Sequence, residues 1–323
     1  MAAFLVSCWP PMDLAIITVS YNTRELLADC LESVFTGLHR SGLVGEVWVV
    51  DNASDDESVD MVQQRYPQVK LIAHSENLGF AAGNNLALTT MGAGLQTQAR
   101  HILFLNPDTR VLDNALGELV DFLDSTPRAG AAGAGLLHGD GSFQHSAFAF
   151  PGLTHVFLDF YPIHHRLLDS RLNGRYPRRK YDRGEPFPVD HPLGAALMVR
   201  GETLSQTGGF DERFFMYCEE IDLCHRIKKA GWEIYCVPRA RIVHLVGQST
   251  QQFRDSMYIA LWRSRFVLAE KHHSLVFRWA VRRLVRLGLW SESRRAKAAR
   301  QREEITTREL EGRLAAYGEV AGL

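Results

Sequence analysis

The strongest constraint on this chain is an alternation between residues 14 and 105. Residues 14–19, 47–50, 69–73 and 102–105 are short apolar runs dominated by β-branched residues and leucine, the pattern of buried strands. Between the first two, Leu26, Leu27, Cys30, Leu31 and Val34 recur at helical spacing within residues 23–38, with Thr23 as the expected cap. Residues 54–66 read as a second crossover helix, with Ser54 as N-cap and Asp55, Asp56 and Glu57 in its first turn, where the helix dipole favours acids. Strand, helix, strand, helix, strand implies a parallel α/β sheet flanked by helices.

Ligands of such sheets bind in the crevice beyond the carboxyl ends of the strands. Polar residues stand at each of those ends. Ser20-Tyr21-Asn22 follows the first strand, Asp51-Asn52 the second, Glu76-Asn77 the third and Asn106-Pro107-Asp108 the fourth, which predicts one lined cleft. Downstream, residues 143–187 are rich in aromatics, His, Arg and Pro without periodicity, so long loops with short helices are expected, as surface elaboration or as an acceptor-binding lid. A strand at 195–199, a turn at Gly208-Gly209-Phe210-Asp211, a helix at 217–230 closed by Gly231 and extended runs at 233–237 and 241–245 complete the region. The expected organisation is a catalytic domain over 12–250, with nucleotide binding in 12–110 and the acceptor and base in 111–250. A basic helical extension follows over 251–323.

Composition supports a large core: 46% of the 323 residues are hydrophobic and 23% charged, which excludes disorder, collagen-like repeats and a disulfide-stapled miniature. No apolar run reaches the length of a spanning helix. The five cysteines, Cys8, Cys30, Cys218, Cys224 and Cys236, form no C-x-x-C pair and read as reduced cytosolic thiols. Phe4-Leu5-Val6-Ser7-Cys8 superficially resembles a lipoprotein processing site but lacks a basic leader, and Met12 is an alternative start. The formal charge of −1 hides an asymmetry: nine basic residues against Glu292 give residues 276–302 a net +8, leaving −9 elsewhere. Such a segment points to an anionic partner. Phe277, Val281, Leu284, Val285 and Trp290 can share one helical side and Arg278, Arg282 and Arg286 another, as in an interfacial helix on an anionic membrane; the alternative is a helix packed on the domain or a dimer seam.

Several residues carry chemistry. Asp108 is placed to coordinate Mg2+ or Mn2+ together with phosphate oxygens. Asp51 can hold a base or ribose. The loop Asn77-Leu78-Gly79-Phe80-Ala81-Ala82-Gly83-Asn84-Asn85 combines close backbone approach with amides for hydroxyls or diphosphate, and is not the dinucleotide fingerprint. In the helix starting near Tyr217, Glu220 shares the apolar face with Leu223, Cys224 and Ile227, so its pKa should rise toward that of a general base, whereas Glu219 and Asp222 suit the helix dipole. His244, followed by Gly247, Gln248 and Ser249, can add a nitrogen to a metal held by Asp108.

In this order the segments resemble the family 2 nucleotide-sugar glycosyltransferases, in particular the bacterial rhamnosyltransferase-like group. They are Ile17 to Asn22, Val49 to Ser54, Asn77 to Asn84, Leu103 to Asp108, Gly208 to Asp211, Glu219-Glu220-Ile221-Asp222-Leu223-Cys224-His225-Arg226, Ala230-Gly231-Trp232 and His244. The resemblance implies a GT-A fold, Rossmann-like with a mostly parallel sheet, a divalent cation and inversion at the anomeric carbon. Position by position it implies Ser20, Tyr21, Asn22, Asp51, Asn77, Gly79, Phe80, Asn84 and Asn106 toward the donor nucleotide, Asp108 and His244 toward the metal, Glu220 as base, and Gly194, Glu219 and Asp222 on the acceptor side. Two positions depart from the family pattern: Glu-Glu stands where Asp is the more usual base, and Asn106 replaces the first Asp of a D-x-D. The partners implied are a nucleoside-diphosphate sugar, first rhamnose, a glycan or lipid-linked glycan acceptor and a membrane surface, with no nucleic acid. The location implied is the cytoplasm, peripheral to the inner face of the cell membrane. The alternatives are a sugar-nucleotide nucleotidyltransferase, whose kind carries a glycine- and arginine-rich loop after the first strand that Ser20-Tyr21-Asn22-Thr23-Arg24 does not match, and a silent membrane-docking module.

Overall fold

The computed structural model describes residues 12–92, 99–161, 168, 170–245 and 254–323. Strands β1 (Met12–Ser20), β2 (Gly45–Asn52), β3 (Lys70–His74) and β4 (Ala99–Leu105) run parallel in the order β3-β2-β1-β4. Their crossovers include α1 (Arg24–Ser41), α2 (Ser58–Arg65) and α3 (Gly79–Thr90). Within each strand the side chains alternate between two cores. Leu14, Ile16, Val47, Val49, Leu103 and Leu105 enter one, Ala15, Ile17, Trp48, Val50, Ile102 and Phe104 the other. A sheet covered on both faces has no polar side to show, which explains the uninterrupted apolar runs.

The local caps differ from expectation. Thr23 makes no cap; its hydroxyl is 2.8 Å from that of Ser20, and Asp56 Oδ2 instead accepts the Arg24 N–H at 2.8 Å. Ser54 lies ahead of α2, which starts after Glu57, and its hydroxyl accepts the Asn22 N–H at 2.9 Å. The expected glycine loop is largely α3. Gly79 is needed where that helix begins: its φ is +80°, and a Cβ there would lie 2.3 Å from the Phe215 carbonyl oxygen.

The second half turns the sheet mixed. After β5 (Thr109–Val111), α4 (Ala115–Ser125) leads into β6 (Ala129–Leu137), and the segment 143–187 contains β7 (Phe143–Gln144), β8 (Ala147–Phe148), α5 (Leu153–Phe160), α6 (Arg178–Asp182) and β9 (Phe187–Pro188). Then come β10 (His191–Pro192), β11 (Ala196–Arg200), α7 (Gly201–Thr207), α8 (Glu219–Lys229) and β12 (Glu233–His244). The full order is β3-β2-β1-β4-β11-β6-β12-β5, with β11 antiparallel to both neighbours and β5 antiparallel to β12. The two extended runs at 233–237 and 241–245 form the single strand β12, its register shifting between Val237 and Arg241, where Pro238 donates no ladder hydrogen bond.

Three helices, α9 (Arg254–His272), α10 (Leu275–Gln301) and α11 (Thr307–Gly322), follow. They enclose a separate apolar cluster in which Trp262, Phe266, Val281, Val285, Leu289 and Val320 meet Val156 and Phe160 of α5. Gly288 admits the Phe160 ring, which a Cβ would meet at 2.1 Å. The side of α10 expected to face a membrane is therefore the packed side: Val281 and Val285 are buried, Phe277 and Leu284 pack against the cluster, and Arg278 and Arg282 bond to chain carbonyls of Glu270 and Leu323. Trp290 alone of that set is exposed. The expected boundary at 250 falls among residues outside those described, as do Cys8 and Gly247, Gln248 and Ser249. Among the described residues no helix is long and apolar enough to cross a membrane.

Candidate active site

A cleft of about 570 Å³ opens at the carboxyl ends of the parallel strands. Ser20, Tyr21, Asn77, Gly79, Phe80, Asn106, Asp108, Gly194, Glu219, Glu220 and His244 line it. Four of the expected residues do not. Asn22 turns to the β2–α2 loop, its side chain accepting the Asp55 N–H at 2.9 Å. Asn84 lies inside α3 and donates to the Phe80 carbonyl, because the segment is helical there. Asp51 is buried beside Ser20 in the strand register; one oxygen accepts the Ser54 N–H at 2.9 Å, while the other has no partner among the described residues. Asp222 is considered below.

Antiparallel pairing sets His244 opposite Thr109 and so brings it beside Asp108, with the Leu245 N–H donating to the Asp108 carbonyl at 2.9 Å. The His244 Nε2 stands 3.5 Å from Asp108 Oδ1, and both side chains are almost fully buried. Burial raises the Asp108 pKa against the opposing charge of His244, and burial lowers that of His244. Gln144, from β7, lies 3.1 Å from His244 Nδ1 and holds the ring. Asn106, in the place of a first acid, uses its backbone: its carbonyl accepts from Thr109 Oγ1 at 2.7 Å and its N–H donates to Ala195 at 3.0 Å. One carboxylate and one imidazole suit a divalent cation completed by phosphate oxygens and water. Among the described residues no cluster of three or more such ligands exists.

The other side of the cleft is made by the start of α8. Tyr217 and Cys218 have φ of +69° and +66°, two successive left-handed residues that turn the chain before Glu219. Both Glu219 and Glu220 are buried, at 6% and 9% exposure, and each keeps one carboxyl oxygen without a partner among the described residues. Burial, partly opposed by backbone N–H groups, pushes the Glu220 pKa up to about 7. For Glu219 burial comes first and the charge of Glu220 second, and its pKa rises well above the usual range. Two adjacent carboxyls in a dry site do not both ionise easily. The backbone of Gly194 backs Glu220, with space of only 3.3 Å between a Cβ there and the Glu220 chain.

Asp222 corrects the expectation for the helix dipole: it is fully buried. Arg226 reaches it at 2.9 Å, Lys271 and His272 at 2.7 Å each. Burial acts to raise its pKa, but the hydrogen bonds from Lys271 and His272 and the charge of Arg226 win and hold it below the usual range. It fastens α8 to α9 outside the cleft. Glu219 likewise is no solvated dipole acid, since the turn at Tyr217 folds it inward.

Sequence reading missed Phe215, Met216 and Tyr217, which line the cleft between the glycine turn and the acids, and Ser256 and Met257 from α9. It also missed Thr23 as a lining residue, whereas Asn52, expected at the end of the second strand, does line the cleft. Nothing in the local pattern of residues 256 and 257 marks them. The segment 143–187 contributes no lining residue among those described and reaches the site only through Gln144.

Comparison with known proteins agrees with this arrangement. The family model for glycosyl transferase family 2 matches residues 15–196. An N-acetylglucosaminyl-diphospho-decaprenol L-rhamnosyltransferase of Mycobacterium tuberculosis is 30% identical over 283 residues, covering 83% of this chain and 89% of its own. The rhamnosyltransferase WbbL of Escherichia coli K12 is 26% identical over 241 residues, covering 74% of this chain and 85% of its own. Among solved structures, the mannosyltransferase PcManGT of Pyrobaculum calidifontis in complex with GDP-Man and Mn2+ superposes with a TM-score of 0.55 at 17% identity, over 96% of this chain and 80% of its own. The mostly parallel sheet flanked by helices is thus the GT-A fold, and the chain belongs to glycosyl transferase family 2.

Proposed function

We propose that the enzyme transfers rhamnose, with inversion, from a nucleoside diphosphate to a hydroxyl of a lipid-linked glycan, in the cytoplasm at the inner face of a cell membrane. The observation that carries the reading is the pair of uncompensated buried carboxyls, Glu219 and Glu220, across one cleft from Asp108 and His244. The names of the Mycobacterium and Escherichia coli relatives support the donor sugar, and the first of them supports the acceptor. The free state of the four described cysteines agrees with a reducing compartment.

In this reading Ser20, Tyr21, Asn77, Gly79 and Phe80 hold the nucleoside, with the unpartnered oxygen of Asp51 beneath Ser20 as a further acceptor. Asp108 and His244 would hold Mg2+ or Mn2+, which when bound supplies positive charge toward the diphosphate. Gln144, whose amide nitrogen stands 3.1 Å from His244 Nδ1, would hold the ring with Nε2 turned toward Asp108 and the metal. Glu220 takes the proton of the acceptor hydroxyl as its oxygen bonds to C1 and the C1–oxygen bond to the diphosphate breaks on the opposite face. Glu219, protonated, keeps a second charge out of the site.

Release of nucleoside diphosphate from a panel of sugar nucleotides, with Mn2+, Mg2+ or EDTA and with a polyprenyl-diphosphate N-acetylglucosamine acceptor, tests this. Rhamnose donors should be consumed in a metal- and acceptor-dependent way. Turnover undiminished by EDTA, or preference for another sugar, would overturn the corresponding part.

A further inference from the structure

The packed side of α10 leaves its opposite side bare. Val276, Trp279, Leu287 and Trp290 are 76%, 60%, 58% and 61% exposed, a high value for two tryptophans. Their spacing of three, eight and three residues keeps them on one helical stripe. Arg283, Arg286, Arg294 and Lys297 fall on the same stripe and are exposed. Arg283 covers the Trp279 ring at 5.4 Å and Arg294 the Trp290 ring at 4.9 Å. The only acid of the helix, Glu292, lies off the stripe and is engaged by Arg295 at 2.6 Å. Beyond Leu287, whose carbonyl accepts from the Tyr161 hydroxyl at 3.3 Å, the apolar surface continues to Phe157 of α5, stacked on Tyr161.

We infer that this stripe of α10, and not its packed side, seats the enzyme on an anionic lipid bilayer. Tryptophan beside arginine is the composition of a membrane interface, where the ring sits at headgroup depth and the guanidinium meets lipid phosphate. The stripe carries four basic residues and no acid, so a second copy docked on it would set like charges face to face. A nucleic acid would satisfy the charges but leave Leu287 and Val276 in water, whereas a bilayer accepts both. At 27 residues the helix is about 40 Å long, enough to lie along a surface without crossing it. The inference rests on the proposed reading in one respect, that the acceptor is carried in a membrane.

Sedimentation of the full chain with vesicles of phosphatidylcholine, alone or mixed with phosphatidylglycerol, at low and high salt, tests it. Binding should require phosphatidylglycerol, weaken with salt and blue-shift the tryptophan fluorescence. Each basic residue at such a surface contributes on the order of fivefold in affinity, so Arg283→Gln with Arg286→Gln should lose on the order of 25-fold. Trp279→Ser with Trp290→Ser should lose about tenfold or more and abolish the blue shift. All four side chains are exposed, so melting temperature and donor turnover on a water-soluble acceptor should not change. Binding equal to wild type in both double variants would overturn the inference, as would concentration-dependent dimerisation or duplex DNA binding abolished by the tryptophan variant in place of vesicle binding. Failure of rhamnose transfer with vesicle binding intact would instead strike the proposed donor and leave the docking surface standing.

Discussion

Two faces of α8 handle buried acids in opposite ways. Asp222 faces α9 and is met by Arg226, Lys271 and His272, so its charge is neutralised where it stands. Glu219 and Glu220 face the cleft and meet no cation among the described residues. Compensated burial makes a rivet between the catalytic sheet and the helical layer. Uncompensated burial stores a proton affinity that only a reactant relieves.

The comparison can be broken by substitution. The largest expected effect is at the opposite wall of the cleft: Asp108→Ala should cost about 10³-fold or more in turnover, since charge stabilisation at a leaving diphosphate contributes several kcal/mol. Isothermal titration with Mn2+ should show weaker binding, with melting temperature retained. Next, Glu220→Gln should lower turnover by about 10²–10⁴-fold while donor binding survives, which single-turnover assays with equilibrium donor titration would separate.

Asp222→Ala should behave in the reverse manner. Removing Asp222 takes the shared anion from a buried ionic cluster, while Lys271 keeps Asp211 and Arg226 keeps the carbonyls of Thr207 and Gly209, so the cost in urea unfolding should sit at the low end of about 3–5 kcal/mol. The protein that remains folded should still turn over. If Asp222→Ala were stable and inactive, the distinction between rivet and site would collapse.

The pH dependence sharpens the same contrast. With Glu220 pushed up to about 7, its base form is present above that value, so turnover should rise about tenfold per pH unit below neutrality and level off above it. Stability has the opposite slope. A carboxyl whose folded pKa is raised favours the folded state below its unfolded value and loses that contribution as pH rises through the folded one, here from about 4.5 to about 7. Glu220→Gln should flatten that window, whereas Asp222, held low, contributes stability that fades only in acid. The smallest effect is expected at Glu219→Gln, under about tenfold in turnover, because burial and the charge of Glu220 already disfavour its charged form. A larger loss there than at Glu220 would exchange their roles.

Legibility followed the range of the forces involved. The parallel strands and α1 were readable because burial on both faces of a sheet writes a contiguous apolar run, and a crossover helix writes its own spacing. The polar cluster after each strand was readable for the same reason, since the cleft position follows from strand direction alone. Strand β6 was not, because Ala129 to Leu137 is mostly alanine and glycine and owes its place to neighbours such as Pro192, which a Cβ at Gly133 would meet at 2.2 Å. Ser54 and Thr23 satisfied the local rules for capping and were used otherwise, as Asp56 came across from the next loop to cap α1.

By itself, then, the amino-acid order determined the parallel half-sheet, the cleft at its carboxyl edge, and Asp108, Glu220 and His244 as residues that line it, because these depend on patterns within a few residues or on strand ends. Tertiary structure decided which acids of α8 are compensated, since Lys271 and His272 arrive from some fifty residues away. It also decided which side of α10 is bare. Two apolar stripes ran along that helix, periodicity could not rank them, and only the docking of Phe160 against Gly288 chose the one to bury.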